Sequence, residues 1–292
     1  MMSQEEKDEA LVMAVEDGDI EQIKSLLSAG ANVNTMNDAD ETPLGIAIGN
    51  DQLDIAQLLI DAGADVDQLD EREQTALHWV CESRYAEGAH LLIAAGADVN
   101  KQDNLGWTPL HKASEEGQVD AMKVLIDRGA FVNMQNMGIS PLHMASHKGH
   151  IDAVHLLIDN GGDLNMRNRF GRTSLHMAIE NGHVDVVHVL IDAGADVGIQ
   201  DANGDTPLHM AIEQRRVDLV QLLIDAGADI DIPDGAGRTP LQHANERGHA
   251  GVVQTLLLHG AEVEEDLMDD PLVQNLSLSE SHHTETDTVF LH

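Results

Sequence analysis

Thr108-Pro109-Leu110-His111 stands near the middle of the chain, and the same word returns almost from end to end. The other copies are Thr42-Pro43-Leu44-Gly45, Thr75-Ala76-Leu77-His78, Ser140-Pro141-Leu142-His143, Thr173-Ser174-Leu175-His176, Thr206-Pro207-Leu208-His209 and Thr239-Pro240-Leu241-Gln242. Their starts lie 33, 33, 32, 33, 33 and 33 residues apart. A second word keeps the same beat, from Gly30-Ala31-Asn32-Val33-Asn34 through Gly96-Ala97-Asp98-Val99-Asn100 to Gly260-Ala261-Glu262-Val263-Glu264. Two words held in fixed phase over seven periods define a repeat array.

Each word has a local physical reading. Thr or Ser at the first position caps a helix by accepting a bond from an otherwise orphaned backbone N–H. Pro follows at the first helical position, where its missing N–H costs nothing. The glycines of the second word follow runs such as Val124-Leu125-Ile126-Asp127-Arg128, where a helix ends in the left-handed conformation that Gly adopts cheaply. Between the words, stretches such as Asp201-Ala202-Asn203-Gly204-Asp205 carry turn chemistry.

This pattern resembles the ankyrin repeat family, whose unit is a turn plus two helices about 33 residues long. The resemblance implies an all-α fold, an ankyrin-repeat solenoid of stacked helix-turn-helix units joined by β-hairpin-like fingers. It also implies an inward Leu and a His that bridges to the next turn. The expected boundaries are an N-terminal tail over 1–5, a repeat domain over 6–266 and a flexible, acidic, Ser/Thr-containing tail over 267–292. The first unit, 6–34, lacks the signature and is polar enough to cap the array. In it, Glu9-Ala10-Leu11-Val12 takes the signature slot and helix B runs from residue 20 to 28. Signature units follow from about 35, 68, 101, 134, 166, 199 and 232, making eight in all. In the last, Gln242, His243 and Asn245 drift polar, as a terminal cap requires. In the tail, Ser277 and Thr284 each precede an acidic residue by three positions, as acid-directed phosphorylation sites do.

Composition narrows the function. Only six aromatics occur, Trp79, Trp107, Tyr85, Phe131, Phe170 and Phe290, so the core must be aliphatic. A single cysteine, Cys81, excludes an internal disulfide framework and fits a reducing compartment. No apolar run reaches the roughly 20 residues that a membrane span needs, and the N-terminus has no secretory pattern. The expectation is a soluble, intracellular monomer, cytoplasmic or nuclear. The formal net charge of −36 argues against nucleic acid as a partner, because phosphate binding needs Lys and Arg stripes. Asp54, Asp120, Asp152, Asp185 and Asp218 fall where a first helical turn welcomes negative charge. Asp61, Asp127, Asp159, Asp192 and Asp225 fall in last turns, where a carboxylate costs roughly 0.3–1 kcal/mol. Fold stability does not ask for this second set, which leaves solubility, a high-salt habitat or a basic partner.

No catalytic constellation stands outside the repeating words, so no enzyme and no cofactor are expected. The seventeen histidines are mostly absorbed by the repeat. The column His90, Lys123, His155, His188 lies on successive helices about 8–10 Å apart, too far for the roughly 2 Å bonds of one zinc ion. No metal is expected.

What varies within the constant frame points to the partner. The residues just before each signature are Glu41, Gln74, Trp107, Ile139, Arg172, Asp205 and Arg238. Two positions earlier stand Ala39, Arg72, Leu105, Met137, Phe170, Ala202 or Asn203, and Ala236. Leu105, Trp107, Met137, Ile139 and Phe170, with Arg169 and Arg172 beside them, thus sit on tips that should face water. Clustered exposed apolar residues mark an interaction site. Glu115, His147 and Lys148 join them from helix A in the concave groove, which in this family is the usual partner face. The reading is a non-catalytic interaction module, an adaptor, scaffold or inhibitor, whose units three to seven bind a protein with a basic rim and an apolar centre. An alternative is a reader of basic or methylated lysine, in which Trp79, Trp107, Glu82 and Glu115 form a cage for the cation. Asn100 and Asn165 also resemble the sites of asparaginyl hydroxylation known in ankyrin repeats.

Three departures from the pattern stand out: a finger over 133–140 that is one residue short, Arg84-Tyr85 in place of the usual Gly-His, and Arg215-Arg216 in place of the same pair.

Overall fold

The computed structural model describes residues 2–83 and 86–275. Ser277, Thr284 and the Arg84-Tyr85 pair lie outside the described residues. The chain divides into two compact units, an N-terminal body, Met1–Asp163, and a C-terminal body, Leu164–His292. Among the described residues the structure is helical, with one isolated bridge between Asn136 and Ile139 and no strand.

The N-terminal body holds five helix pairs. They are α1 (Gln4–Glu16) with α2 (Ile20–Ser28), α3 (Pro43–Gly49) with α4 (Leu53–Asp61), α5 (Ala76–Glu82) with α6 (Ala86–Ala94), α7 (Pro109–Glu116) with α8 (Val119–Asp127), and α9 (Pro141–Lys148) with α10 (Ile151–Asp159). The C-terminal body holds three: α11 (Ser174–Glu180) with α12 (Val184–Asp192), α13 (Pro207–Glu213) with α14 (Val217–Asp225), and α15 (Pro240–Glu246) with α16 (Ala250–Leu258). Each pair is one repeat, so repeats one to five lie in the first body and six to eight in the second.

The signature builds the start of each first helix. Thr42 accepts the Gly45 N–H at 3.0 Å, and Pro43 takes the first helical position of α3. The signature histidines then do two jobs. His78 Nδ1 accepts the Thr75 N–H at 3.1 Å, which leaves the proton on Nε2, and Nε2 donates to the Trp107 carbonyl of the next repeat at 3.1 Å. His111 repeats this with Thr108 (3.3 Å) and Ile139 (3.2 Å), and His176 with Thr173 (3.2 Å) and Asp205 (3.4 Å). One neutral ring thus satisfies a helix terminus and ties two repeats together.

The second word ends each second helix and clamps it to its neighbour. Gly96 sits at φ 98°, a conformation that would strain any residue with a Cβ. The last residue of the word bridges to the next repeat. Asn100 accepts the Phe131 N–H at 2.8 Å and donates to the Gly129 carbonyl at 3.0 Å; Asn133 does the same with Asp163 (2.9 Å) and Gly161 (2.8 Å). In the C-terminal body Asn165 and Asp231 accept from Asp196 and Glu262 at 2.9 and 3.1 Å. Gly198 occupies this slot in repeat six and has no side chain to make the bond.

Two boundaries differ from expectation. Ser3 and Glu6 form a reciprocal capping box, so α1 begins at Gln4 rather than after a five-residue tail. At the other end, Leu267 and Val273 are buried, Gln242 donates to Asp266 at 3.1 Å and Asn245 to Asp270 at 3.0 Å, and residues 271–275 turn helical. The ordered chain therefore runs past the expected tail start at 267. Apolar side chains that a helical period does not announce still find cover against the last repeat.

Candidate partner-binding site

The finger of repeat four is organised by Asp103. Its backbone N–H donates to the Trp107 carbonyl (2.9 Å), and its carboxylate accepts the N–H groups of Leu105 (3.0 Å) and Trp107 (2.8 Å). This Asx turn holds the tip rigid and turns Leu105 outward, 61% exposed. Asp103 itself is buried, and its second oxygen faces Lys112 Nζ at 3.6 Å, while Lys112 also reaches Glu82 at 2.7 Å. A buried carboxylate without such a partner would be costly, so Lys112 is part of the finger's base.

The finger of repeat five is built differently. The missing residue leaves a two-residue turn: Asn136 and Ile139 exchange both backbone bonds at 2.9 and 2.8 Å across Met137 and Gly138. Both central residues have positive φ, 50° and 79°, the geometry of a type I′ turn. Met137 is thereby held at the tip, 60% exposed, in a conformation that usually belongs to Gly or Asn. Asn136 Nδ2 donates to the Leu105 carbonyl at 2.5 Å, which joins this tip to the one before it. Below the tips, Trp107 and Ile139 are half-buried, with the Trp107 ring edge-on to His111 at 5.2 Å. The two outward apolar side chains and the two half-buried ones thus come from adjoining fingers. On the helix face of the same body, Lys148 pairs with Glu115 at 3.2 Å, and His147 is half-buried beside it.

In the C-terminal body Phe170 is 52% exposed at the tip of repeat six, with the Arg169 guanidinium 4.6 Å from its ring centroid. Arg172 is not a free anchor. Its guanidinium holds Glu180 at 2.7 Å and the buried Asp201 at 3.3 Å.

The four residues of the lysine-cage alternative are already engaged. Trp79 donates from Nε1 to Asp70 at 3.1 Å, and its ring fills the place above Gly45, where a Cβ would lie 2.6 Å from a ring carbon. Trp79 is therefore packing between repeats two and three, and it explains why the signature His is Gly in repeat two. Glu82 and Glu115 hold Lys112 and Lys148 of this chain. The Trp107 ring rests against His111.

Burial pushes His111, His176 and His209 down to about 4, so these rings are neutral at neutral pH. Burial also pushes the Cys81 thiol up, out of reach of thiolate chemistry. Among the described residues no group of three or more His, Cys, Asp or Glu side chains is arranged to hold a metal ion, and no helix is long and apolar enough to cross a membrane.

Several residues that shape the site carried a signal that reading the tips alone passed over. An Asx residue recurs five or four positions before every signature, as Asn37, Asp70, Asp103, Asn136, Asn168, Asp201 and Asp234. Seven positions after the cap, Glu recurs as Glu82, Glu115, Glu180, Glu213 and Glu246. The first series fixes finger geometry and the second takes the chain's few cations.

Comparison with known proteins agrees with this architecture. A family model described as ankyrin repeats (3 copies) matches residues 11–103, 64–136, 95–168, 133–201 and 175–266. Among solved structures, the human ASB11 ankyrin repeat domain aligns with a TM-score of 0.69 at 29% identity, covering 77% of this chain and 100% of that one. The ankyrin repeat domain of Bcl-3, described as a unique member of the IkappaB protein family, aligns with a TM-score of 0.66 at 29% identity, covering 73% and 97%. No curated protein matches the chain in sequence. Ankyrin repeat domains generally mediate protein–protein interaction and are typically non-catalytic. With the family model running over most of its length and every repeat folded as a capped helix pair, the chain belongs to the ankyrin repeat family.

Proposed function

We propose that this protein is a non-catalytic interaction module that grips a protein partner on the finger tips of repeats four and five. Leu105 and Met137 form the apolar centre, and Trp107 and Ile139 support them from below. The observation that carries this reading is the pair of outward apolar side chains, 61% and 60% exposed, on tips whose backbones are locked by Asx and type I′ turns. Locked turns do not need Leu or Met at their tips, and preorganised apolar tips lose little entropy on binding. The formal charge of −36 favours a partner with basic residues around its apolar contact. Phe170 with Arg169 offers a further exposed aromatic in the C-terminal body.

Affinity capture from lysate, at low and high salt, tests the proposal. The comparison is wild type against Leu105→Ala/Met137→Ala, with Phe170→Ala as a separate arm. Truncating hot-spot residues costs about 2 kcal/mol or more, enough to empty a capture lane. Partners should be lost from the double variant and weakened by salt in the wild type. Identical partner sets for wild type and double variant would refute the assignment.

A further inference from the structure

Repeat one carries a groove of its own. The helix α1 is thirteen residues long against the seven of α3, so its first turns stand opposite the finger of repeat two. Between them lies an open groove of about 640 Å³, floored by Met13 and Met36 and rimmed by Glu5, Glu9, Glu16 and Asp38. Met13 is 62% exposed and Met36 38%, whereas Ile46, which takes the Met13 slot in repeat two, is 8% exposed. Among the described residues, none covers this floor.

The repeat itself indicates what belongs there. Seven residues after the cap, five other repeats place a glutamate, and each holds a cation: Glu82 takes Lys112 (2.7 Å), Glu115 Lys148 (3.2 Å), Glu180 Arg172 (2.7 Å), Glu213 Arg247 (2.6 Å) and Glu246 Arg238 (3.1 Å). With Glu9 in the cap slot, Glu16 is the sixth member of this series, and it forms no ion pair among the described residues. We infer that the groove of repeat one docks a basic peptide segment. An Arg or Lys of that peptide meets Glu16 and Glu9 while its aliphatic stem and an apolar neighbour lie along Met13 and Met36. Long cationic side chains suit such a surface, because the stem is apolar and only the head is charged. Methionine adapts to varied apolar partners. This site is separate from the fingers of repeats four and five.

The test uses the full chain and a fluorescein-labelled hexapeptide of alternating arginine and leucine, followed by anisotropy. Glu9→Gln/Glu16→Gln should weaken binding tenfold or more. Asp61→Asn/Asp127→Asn, which removes the same charge from second helices, should change it less than twofold, as should Leu105→Ala/Met137→Ala. With methyl-labelled methionine, the peptide should shift Met13 and Met36 and leave Met137 in place. The inference is overturned if the peptide does not bind, if the Asp61/Asp127 control weakens binding as much as the Glu9/Glu16 pair, or if the shifts and the losses fall on the fingers instead.

Discussion

At the tip of the fourth finger the chain places Leu105, and at the fifth Met137; at the seventh it places Ala202 and Asn203, and at the eighth Ala236. Behind the tips the contrast is repeated. Trp107 and Ile139 stand where the eighth finger has Arg238, whose guanidinium holds the buried Asp234 at 2.7 Å and Glu246 at 3.1 Å. All four fingers have the same job in the fold and open on the same Asx position, Asp103, Asn136, Asp201 and Asp234. The seventh is accounted for by its turn bonds and the pair of Asp201 with Arg172 of the sixth, the eighth by its turn bonds and the ion pairs of Arg238. The fourth and fifth meet those needs equally well and then expose large apolar side chains that the turn does not use. That surplus, over an otherwise constant frame, is the reason for placing partner binding on repeats four and five.

The sharpest way to break this comparison is to attack the frame that all fingers share. His111, His176 and His209 titrate near 4 in the folded chain because burial disfavours the imidazolium, against about 6.5 when unfolded. Between those values the unfolded chain binds more protons. Stability is therefore present in full above about pH 6.5 and falls as pH drops toward 4, by up to about 3 kcal/mol per ring. Chemical denaturation at pH 7 and pH 4.5 should show this loss, and hydrogen exchange should show it in both bodies. Unchanged stability at pH 4.5 would mean that burial does not hold these rings neutral.

A smaller loss should separate the two kinds of finger. In the folded chain Asp234 is pushed up by burial, but the Arg238 N–H, the Arg238 guanidinium and the Ala236 N–H outweigh this and hold it down at about 2. Removing the guanidinium in Arg238→Ala leaves the carboxylate with backbone donors alone. It should cost about 1.5–3 kcal/mol, the range for a hydrogen bond to a charged group, and should raise the Asp234 pKa in an NMR titration. Leu105→Ala and Met137→Ala on the other fingers should stay within about 0.5 kcal/mol of wild-type stability, as exposed sites do. Equal losses from the two kinds of substitution would erase the distinction.

Between these lies a gain. Gly198 is the one residue at its slot, from Asn34 to Asp231, without a side chain to clamp the next repeat. A Cβ there meets only Asp196 Oδ1 at an ordinary 3.4 Å, and its φ is not one that excludes other residues. Gly198→Asn should stabilise the C-terminal body by about 1 kcal/mol, through one added hydrogen bond and a stiffer unfolded chain. A Tm that does not rise would show that the clamp adds nothing at this position.

The frame was legible because its signals are local and repeated. Thr108, Pro109 and His111 each answer a need of one helix terminus, so periodicity and capping rules together located the helix starts. The exposure of Leu105, Met137 and Phe170 followed in the same way, since an apolar residue in a turn has no partner within its own repeat. What the sequence obscured were pairings between repeats. Trp79 invites an aromatic-cage reading until the missing Cβ of Gly45, a full repeat earlier, shows where the ring lies. Arg172 looks like an anchor for a partner until the buried Asp201, 29 residues on, claims it. Leu267 and Val273 lack a helical period, and only the surface of the last repeat explains their burial. In a solenoid the long-range information is the identity of the neighbour one period away, and reading each repeat by itself discards it.

The most direct measurement of the central claim is site-specific photo-crosslinking in lysate. A photo-reactive residue would be placed in turn at positions 105, 137, 203 and 236, on chains whose folding is first checked by circular dichroism. A partner should crosslink from 105 and 137 and not from 203 and 236, with the product diminished by high salt. The same product from all four positions, or one from 203 and 236 alone, would contradict it and return the fourth and fifth fingers to being scaffold.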